Sequence, residues 1–200
     1  MDPDPLRLSG LEKKIIYFEE TGTGNTDKLL SEAKLRAKEL GIKDFVVAST
    51  HGGTALKAKE AFGEKANVVA VTISEGYREN DWCMTDEERK RLQSKGIKVF
   101  TGTHALGDGV ASAFTDKSGG KSIEEIARDT LYRFGQGMKV AVEVVLMAAD
   151  AGLIPMDREV MAIGGTGEGA DTCIVVKPAY PRKFHELEIR EIVAKPRNLS

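Results

Sequence analysis

A chain of 200 residues, 41% hydrophobic and only 6% aromatic, can bury a full core as one domain, or one domain with an appendage. Its formal net charge of −2 and pI near 6.0 supply no global basic field, which argues against nucleic acid as a partner. Two cysteines, Cys83 and Cys173, have no metal-ligand spacing and build no disulfide framework, so no metal is expected and a reducing, cytoplasmic setting is the simplest. No apolar run is long and charge-poor enough to span a bilayer, and Met1 to Leu6 lacks the basic and apolar regions of a signal peptide, so no membrane partner is expected either. Charged residues make up 30% of the chain while glutamine occurs only at 93 and 136, a bias that fits a thermophile.

Residues 1–12 read as an N-terminal extension and 13–200 as a single α/β domain. Ile15 to Phe18 is a short apolar run that suits a strand buried on both faces. Thr21-Gly22-Thr23-Gly24-Asn25-Thr26 follows, and from Asp27 apolar residues recur at Leu29, Leu30, Ala33, Ala37 and Leu40 with helical spacing, closed by Gly41. Asp44 to Thr50 is a second strand, His51-Gly52-Gly53-Thr54 a second glycine turn, and Ala55 to Phe62 a short helix. Asn67 to Ser74 reads as a third strand. Thr85 and Glu88 have the spacing of a capping box at the start of a helix to Lys95 whose only large apolar residue is Leu92.

Lys98 to Thr103 is a fourth strand. His104 to Lys121 is long for a loop and is expected to be mobile or functional. Ile123 to Phe134 is an amphipathic helix, and Met138 to Ala151 an almost wholly apolar one that must be buried on most of its surface. Glu159 to Ile163 is a fifth strand, followed by the third glycine turn, Gly164-Gly165-Thr166-Gly167-Glu168-Gly169. Thr172 to Val176 and Leu187 to Val193 read as two more strands. Alternating strands and helices imply a parallel sheet covered by helices.

The glycine turns carry the functional signal. Glycines let a backbone approach a ligand, threonine hydroxyls and the free amides of a helix's first turn donate hydrogen bonds, and the helix dipole favours an anion there. A tight turn with Thr26 as N-cap accounts for the first of them equally well. The string Thr21 to Thr26 resembles the phosphate loop of flavodoxins, in which Thr/Ser-x-Thr-Gly-Asn-Thr follows the first strand and wraps the phosphate of FMN.

A wider resemblance covers roughly two thirds of the chain at motif level. Glu32 to Thr103 and Met138 to Val176 resemble the C-terminal domain of pyruvate kinase. The motifs that carry the likeness are Phe45-Val46-Val47-Ala48, the turn Ser49-Thr50-His51-Gly52-Gly53-Thr54-Ala55, Val68-Val69-Ala70-Val71-Thr72, Gly152-Leu153-Ile154 with Val160-Met161-Ala162-Ile163, and Gly167 to Thr172. Stand-alone archaeal and bacterial proteins of this shape form a small family with which FMN is associated. The resemblance implies a three-layer α/β/α fold, with a mostly parallel sheet of order 3-2-1-4-5 and an antiparallel strand at or near the edge. It does not imply pyruvate kinase activity, because the barrel that carries that chemistry is absent from a chain this short. In regulated pyruvate kinases the equivalent of Ser49 to Thr54 grips a sugar phosphate. Here His51 and Gly53 depart from the usual pattern and leave more room above the loop.

In an open α/β sheet, ligands bind beyond the C-terminal strand ends where strand order reverses. Counting Ile15 to Phe18 as the first strand, that point falls between it and the fourth. The expected cofactor-binding residues are Thr21, Gly22, Thr23, Asn25, Thr26, Ser49, Thr50, His51, Gly52, Gly53, Thr54, Thr103, His104, Gly164, Gly165 and Thr166. Histidines 51 and 104 are either loop residues bonded to backbone or donors to the ligand. Tyr77 and Trp82 either stack on a flavin or anchor their loop. Arg78 either neutralises a phosphate or is exposed, Glu168 is a solvated carboxylate, a base or a ribose ligand, and Asp108 is most simply a turn residue.

The leading expectation is an FMN-binding protein, a flavin-dependent oxidoreductase if it is an enzyme, with its substrate unread. The alternatives are a non-catalytic sensor of a phosphorylated metabolite such as a sugar phosphate, and a Cys83–His104 transferase or hydrolase. Self-association as a homo-oligomer through an apolar edge or the Val142–Ala149 face stays open, since a covered core helix explains the same run.

Overall fold

The computed structural model describes residues 10–199. Most of the expected N-terminal extension lies outside the described residues, and 10–15 has no regular secondary structure. The sheet has seven strands: β1 Ile16–Phe18, β2 Asp44–Ala48, β3 Asn67–Val71, β4 Lys98–Phe100, β5 Val160–Gly164, β6 Thr172–Lys177 and β7 Glu188–Pro196. Their order is β1-β7-β6-β5-β2-β3-β4. β6 pairs antiparallel with both its neighbours and every other pairing is parallel, so β6 alone runs against the rest.

The helices are α1 Thr26–Leu40, α2 Gly53–Phe62, α3 Asp86–Ser94, α4 Val110–Ser118, α5 Ile123–Leu131 and α6 Gln136–Asp150. Strand residues alternate between two cores. Phe45, Val47, Val68 and Ala70 face α1, α2 and Leu92 of α3, while Val46, Val69, Val71 and Ala162 face α6 with Leu131 of α5 at its margin. Strands buried on both faces need continuous apolar runs, and β2, β3 and β5 have them. The result is a three-layer α/β/α fold.

The order 3-2-1-4-5 holds for the strands counted from Asp44: β4-β3-β2-β5-β6. Ile15 to Phe18 is not the central strand that the sequence suggested. It forms the sheet's edge beside β7, with Tyr17 turned outward at 54% exposure. A three-residue apolar run reads the same at an edge as in the middle, and only pairing partners separate the two cases. The reversal of strand order therefore falls between β2 and β5, not beside the first strand.

Two further expectations change. His104 to Lys121 is not a plain loop, since it contains α4, bracketed by Gly109 and by Gly119 at φ +78°. The Val142–Ala149 face is buried against the sheet and offers no surface for self-association. The capping box at Thr85 and Glu88 is present with both reciprocal bonds, and Ser122 and Glu125 form a second at the start of α5. No helix among the described residues is long and apolar enough to cross a membrane.

The first turn of α6 lies directly on the sheet at the reversal point. A Cβ on Gly164 would approach the Gly137 carbonyl oxygen to 2.5 Å, and one on Gly137 would approach Thr172 Oγ1 to 2.3 Å. Gly137→Ala is expected to destabilise the fold by about 1–3 kcal/mol through overpacking, read from denaturant unfolding.

Candidate functional site

The strands' shared direction brings five loops to one rim. Those after β1, β2, β3 and β5, together with His104 after β4, line a cavity of about 600 Å³ at the point where strand order reverses. The first turns of three helices open into it, through Thr26 of α1, Gly53 and Thr54 of α2, and Gln136 and Lys139 of α6. None of these helices has a side-chain cap from its N-cap residue. In α2 the hydroxyl of Ser49 accepts only the amide of Ala55, at 3.1 Å. The amides of Gly53 and Thr54 have no acceptor among the described residues, and a Cβ on Gly53 would meet open space. Free amides and positive dipole ends converge here, an arrangement that favours negative charge before any charged side chain is counted.

Lys139 adds that charge. It lies in the first turn of α6, where the helix dipole disfavours a cation, and is buried at 8% exposure. Glu143, one turn on and 3% exposed, pairs with it through Oε2 and accepts the Leu106 amide through Oε1 at 2.9 Å. A buried lysine at the positive end of a helix gains from a negatively charged ligand in front of it.

Asp171, fully buried, sets the geometry behind the rim. Its carboxylate accepts the amides of Gly22 at 3.2 Å and Thr166 at 3.0 Å through Oδ2, and the Thr172 hydroxyl at 2.8 Å through Oδ1. Alongside it, the Ala170 amide donates to Thr26 Oγ1 at 2.9 Å. A Cβ on Gly169 would fall 2.6 Å from Thr23 Cα, so only glycine allows the first and third glycine turns to close on each other.

Residues 27–176 match the family model described as pyruvate kinase, alpha/beta domain. The chain belongs to this family. Solved structures of pyruvate kinase from Cryptosporidium parvum are similar over 76% of this chain at 12% identity with a TM-score of 0.40, covering 22% of the pyruvate kinase chain. One solved in complex with ADP is similar over 85% of this chain at 13% identity with a TM-score of 0.37, covering 23% of that chain. Likeness at those scores carries no argument of its own, and the membership rests on the family match. This chain spans under a quarter of the length of those enzymes.

Of the residues expected from sequence, Thr23, Thr26, Ser49, Thr50, His51, Gly53, Thr54, His104 and Gly165 line the cavity. The others stand behind it or beside it. Gly22 and Thr166 are held by Asp171, Asn25 donates to the Glu20 carbonyl, and Gly52 is packed against Leu92 at φ +84°. Gly164 lies under α6, Thr103 lines an adjoining cavity of about 480 Å³, and Thr21 is half-buried before the turn. Sequence reasoning missed Lys139, Glu143, Gln136 and Tyr132, all contributed by the segment that begins and forms α6. A lysine and a glutamate four apart in an otherwise apolar helix were the available signal.

The other candidates resolve as follows. Tyr77 and Trp82 stack on each other with centroids 5.8 Å apart, and Arg78 pairs with Glu75 on the exposed surface. The Cys83 thiol donates to the Ser74 carbonyl, while His104 Nδ1 lies against Asp108, so the two do not form the nucleophile pair considered from sequence. His51 Nδ1 lies 3.3 Å from Glu88. Asp108 is more than a turn residue: it also takes the Tyr77 hydroxyl at 3.1 Å. Burial acts to raise its carboxyl, but His104 and the Tyr77 hydroxyl outweigh it and hold the group below the usual aspartate range. Tyr77 is pushed up, by burial first and by the Asp108 charge second.

Thr26→Ala leaves the buried Ala170 amide without its acceptor and is expected to cost about 1–3 kcal/mol in denaturant unfolding. A group depressed in the folded state stabilises above its unfolded pKa and loses that contribution as pH falls. Asp108→Asn should therefore flatten the dependence of the melting temperature on pH below the ordinary aspartate range, leaving neutral pH as the reference.

Proposed function

We propose that this member of the pyruvate kinase alpha/beta-domain family binds FMN in the cavity at the strand ends, holding its phosphate on the first turn of α2 with Lys139 as counter-charge. One observation carries the reading: the amides of Gly53 and Thr54, with no acceptor among the described residues, share a single cavity with a buried lysine. The volume, about 600 Å³, falls within the ordinary range of cofactor and ligand sites. The wall beyond the glycine turns, with Ile73, Val140, Val144 and Tyr132, is apolar enough to take a flat ring. Thr26, whose hydroxyl is already an acceptor for Ala170, supports the rim instead of gripping the phosphate. A bound flavin would supply redox chemistry, and the protein would supply position and charge.

A second reading, a sensor of a phosphorylated metabolite, draws on the same amides and lysine and differs only in what fills the apolar wall. Freshly purified protein should carry flavin absorbance in the visible, or the apoprotein should bind FMN in a fluorescence titration. Thermal stabilisation by sugar phosphates without flavin binding would favour the sensor instead. Thr54→Ala removes the hydroxyl on the cavity wall and keeps both amides, and is expected to weaken FMN binding about tenfold, the loss of one hydrogen bond of about 1.4 kcal/mol. Lys139→Gln combined with Glu143→Gln removes the ligand's counter-charge without stranding a buried carboxylate, and should cost roughly 10- to 100-fold in affinity. Unchanged affinity in both variants would dismiss the cavity as the phosphate site.

A further inference from the structure

Gripping a phosphate leaves one constellation at the cavity unused. His104 lies on the wall shared by the 600 Å³ cavity and the adjoining 480 Å³ one. Its Nδ1 is at ion-pair distance from Asp108 Oδ2, an oxygen that is buried and has no aligned hydrogen bond. The other oxygen of Asp108 accepts from the Tyr77 hydroxyl at 3.1 Å, and the Tyr77 ring stacks on the imidazole with centroids 6.1 Å apart. The imidazole is thus held on one edge by a carboxylate and on one face by the tyrosine. Its Nε2 has no hydrogen-bond partner among the described residues.

A carboxylate on Nδ1 fixes which ring nitrogen exchanges a proton, and that nitrogen is Nε2. Other charged groups lie around the ring on neighbouring elements. Lys139 and Glu143 on α6 are paired with each other, while Glu124 on α5 and Asp150 at the end of α6 line the adjoining cavity. Elsewhere on the main cavity's wall, His51 is engaged with Glu88 and Lys57 with Asp27.

We propose that His104 is the proton donor of the cavity. A phosphorylated ligand is met by a protonated imidazole that donates from Nε2 to one of the ligand's acceptor atoms, so association takes up a proton from solvent wherever the free ring is neutral. Asp108 and Tyr77 are positioning residues. The proposal rests on reading the cavity as a phosphorylated-ligand site and adds the residue that couples the ligand to protons. No electrons move: the proton comes from water, stays on the ring in the complex, and returns when the ligand leaves.

The test is the pH dependence of FMN affinity for wild type, His104→Gln and Asp108→Asn, with inorganic phosphate as a competitor and a melting curve to show that each variant is folded. The ratio of wild-type to His104→Gln affinity is expected to fall roughly tenfold between about pH 6 and 8, which removes the titration of the ligand's own phosphate from the comparison. Asp108→Asn should shrink that change. The same change with inorganic phosphate alone would place the acceptor on the phosphate, and a change with FMN only would place it on the ring; either supports the proposal. Parallel pH profiles for wild type and His104→Gln, with both binding FMN, would overturn it while leaving the cavity reading intact. Failure of folded wild type to bind FMN or phosphate at any pH would overturn both.

Discussion

A single buried carboxylate organises the rim. Asp171 has no exposure, and an ionised group in that position must find donors or cost several kcal/mol. It finds them in the turn after β1, the loop after β5 and the first residue of β6. The start of α6 is pressed against the same group, since a Cβ on Gly137 would lie 2.6 Å from Oδ1. Two segments far away in sequence, the turn at Gly22 and the start of α6 at Gly137, therefore meet the 164–172 stretch at this one carboxylate. The cavity is the space left in front of that junction, with helix starts and glycine turns around its mouth.

The parts of the fold that read directly from sequence are those fixed by local chemistry. β2, β3 and β5 announce themselves as unbroken apolar runs, and the Thr85–Glu88 box marks the start of α3. The gathering of the glycine turns at one rim also followed, because parallel strands end on the same side. What did not read were features fixed by partners distant in sequence. Ile16–Phe18 has the composition of a buried strand, and nothing local says that β7 will place it at the edge. α4 lacks a strong apolar stripe and is framed by glycines, so it resembles a loop. Asp171 looked like one more polar residue in a glycine-rich stretch, and Asp108 like a turn residue, because the Gly22 amide and the Tyr77 hydroxyl that they accept come from elsewhere in the chain. Lys139 and Glu143 were legible in principle: two opposite charges one turn apart in a helix that had to be buried.

The family match, residues 27–176, begins after the first glycine turn and ends inside β6. β1, the turn that carries Thr23, and β7 all lie outside it. The cavity is therefore a composite. The family segment contributes the second and third glycine turns, His104 and α6, and the flanking segments add one further wall through Thr23 and Thr26. Pairing of β1 with β7, together with the Arg36–Glu191 fork from α1, holds that wall to the sheet. Any ligand preference that this chain has beyond the family segment's own has a structural origin in those additions.

The two outermost strands, β1 and β4, are three residues each. Strands that short expose few unpaired backbone groups and offer a neighbouring molecule almost no ladder to extend, which guards against edge-to-edge aggregation. A sheet whose interior strands are this apolar would be a hazard with a long open border. Ending it in two stubs lets the chain carry such strands while denying a second copy a template.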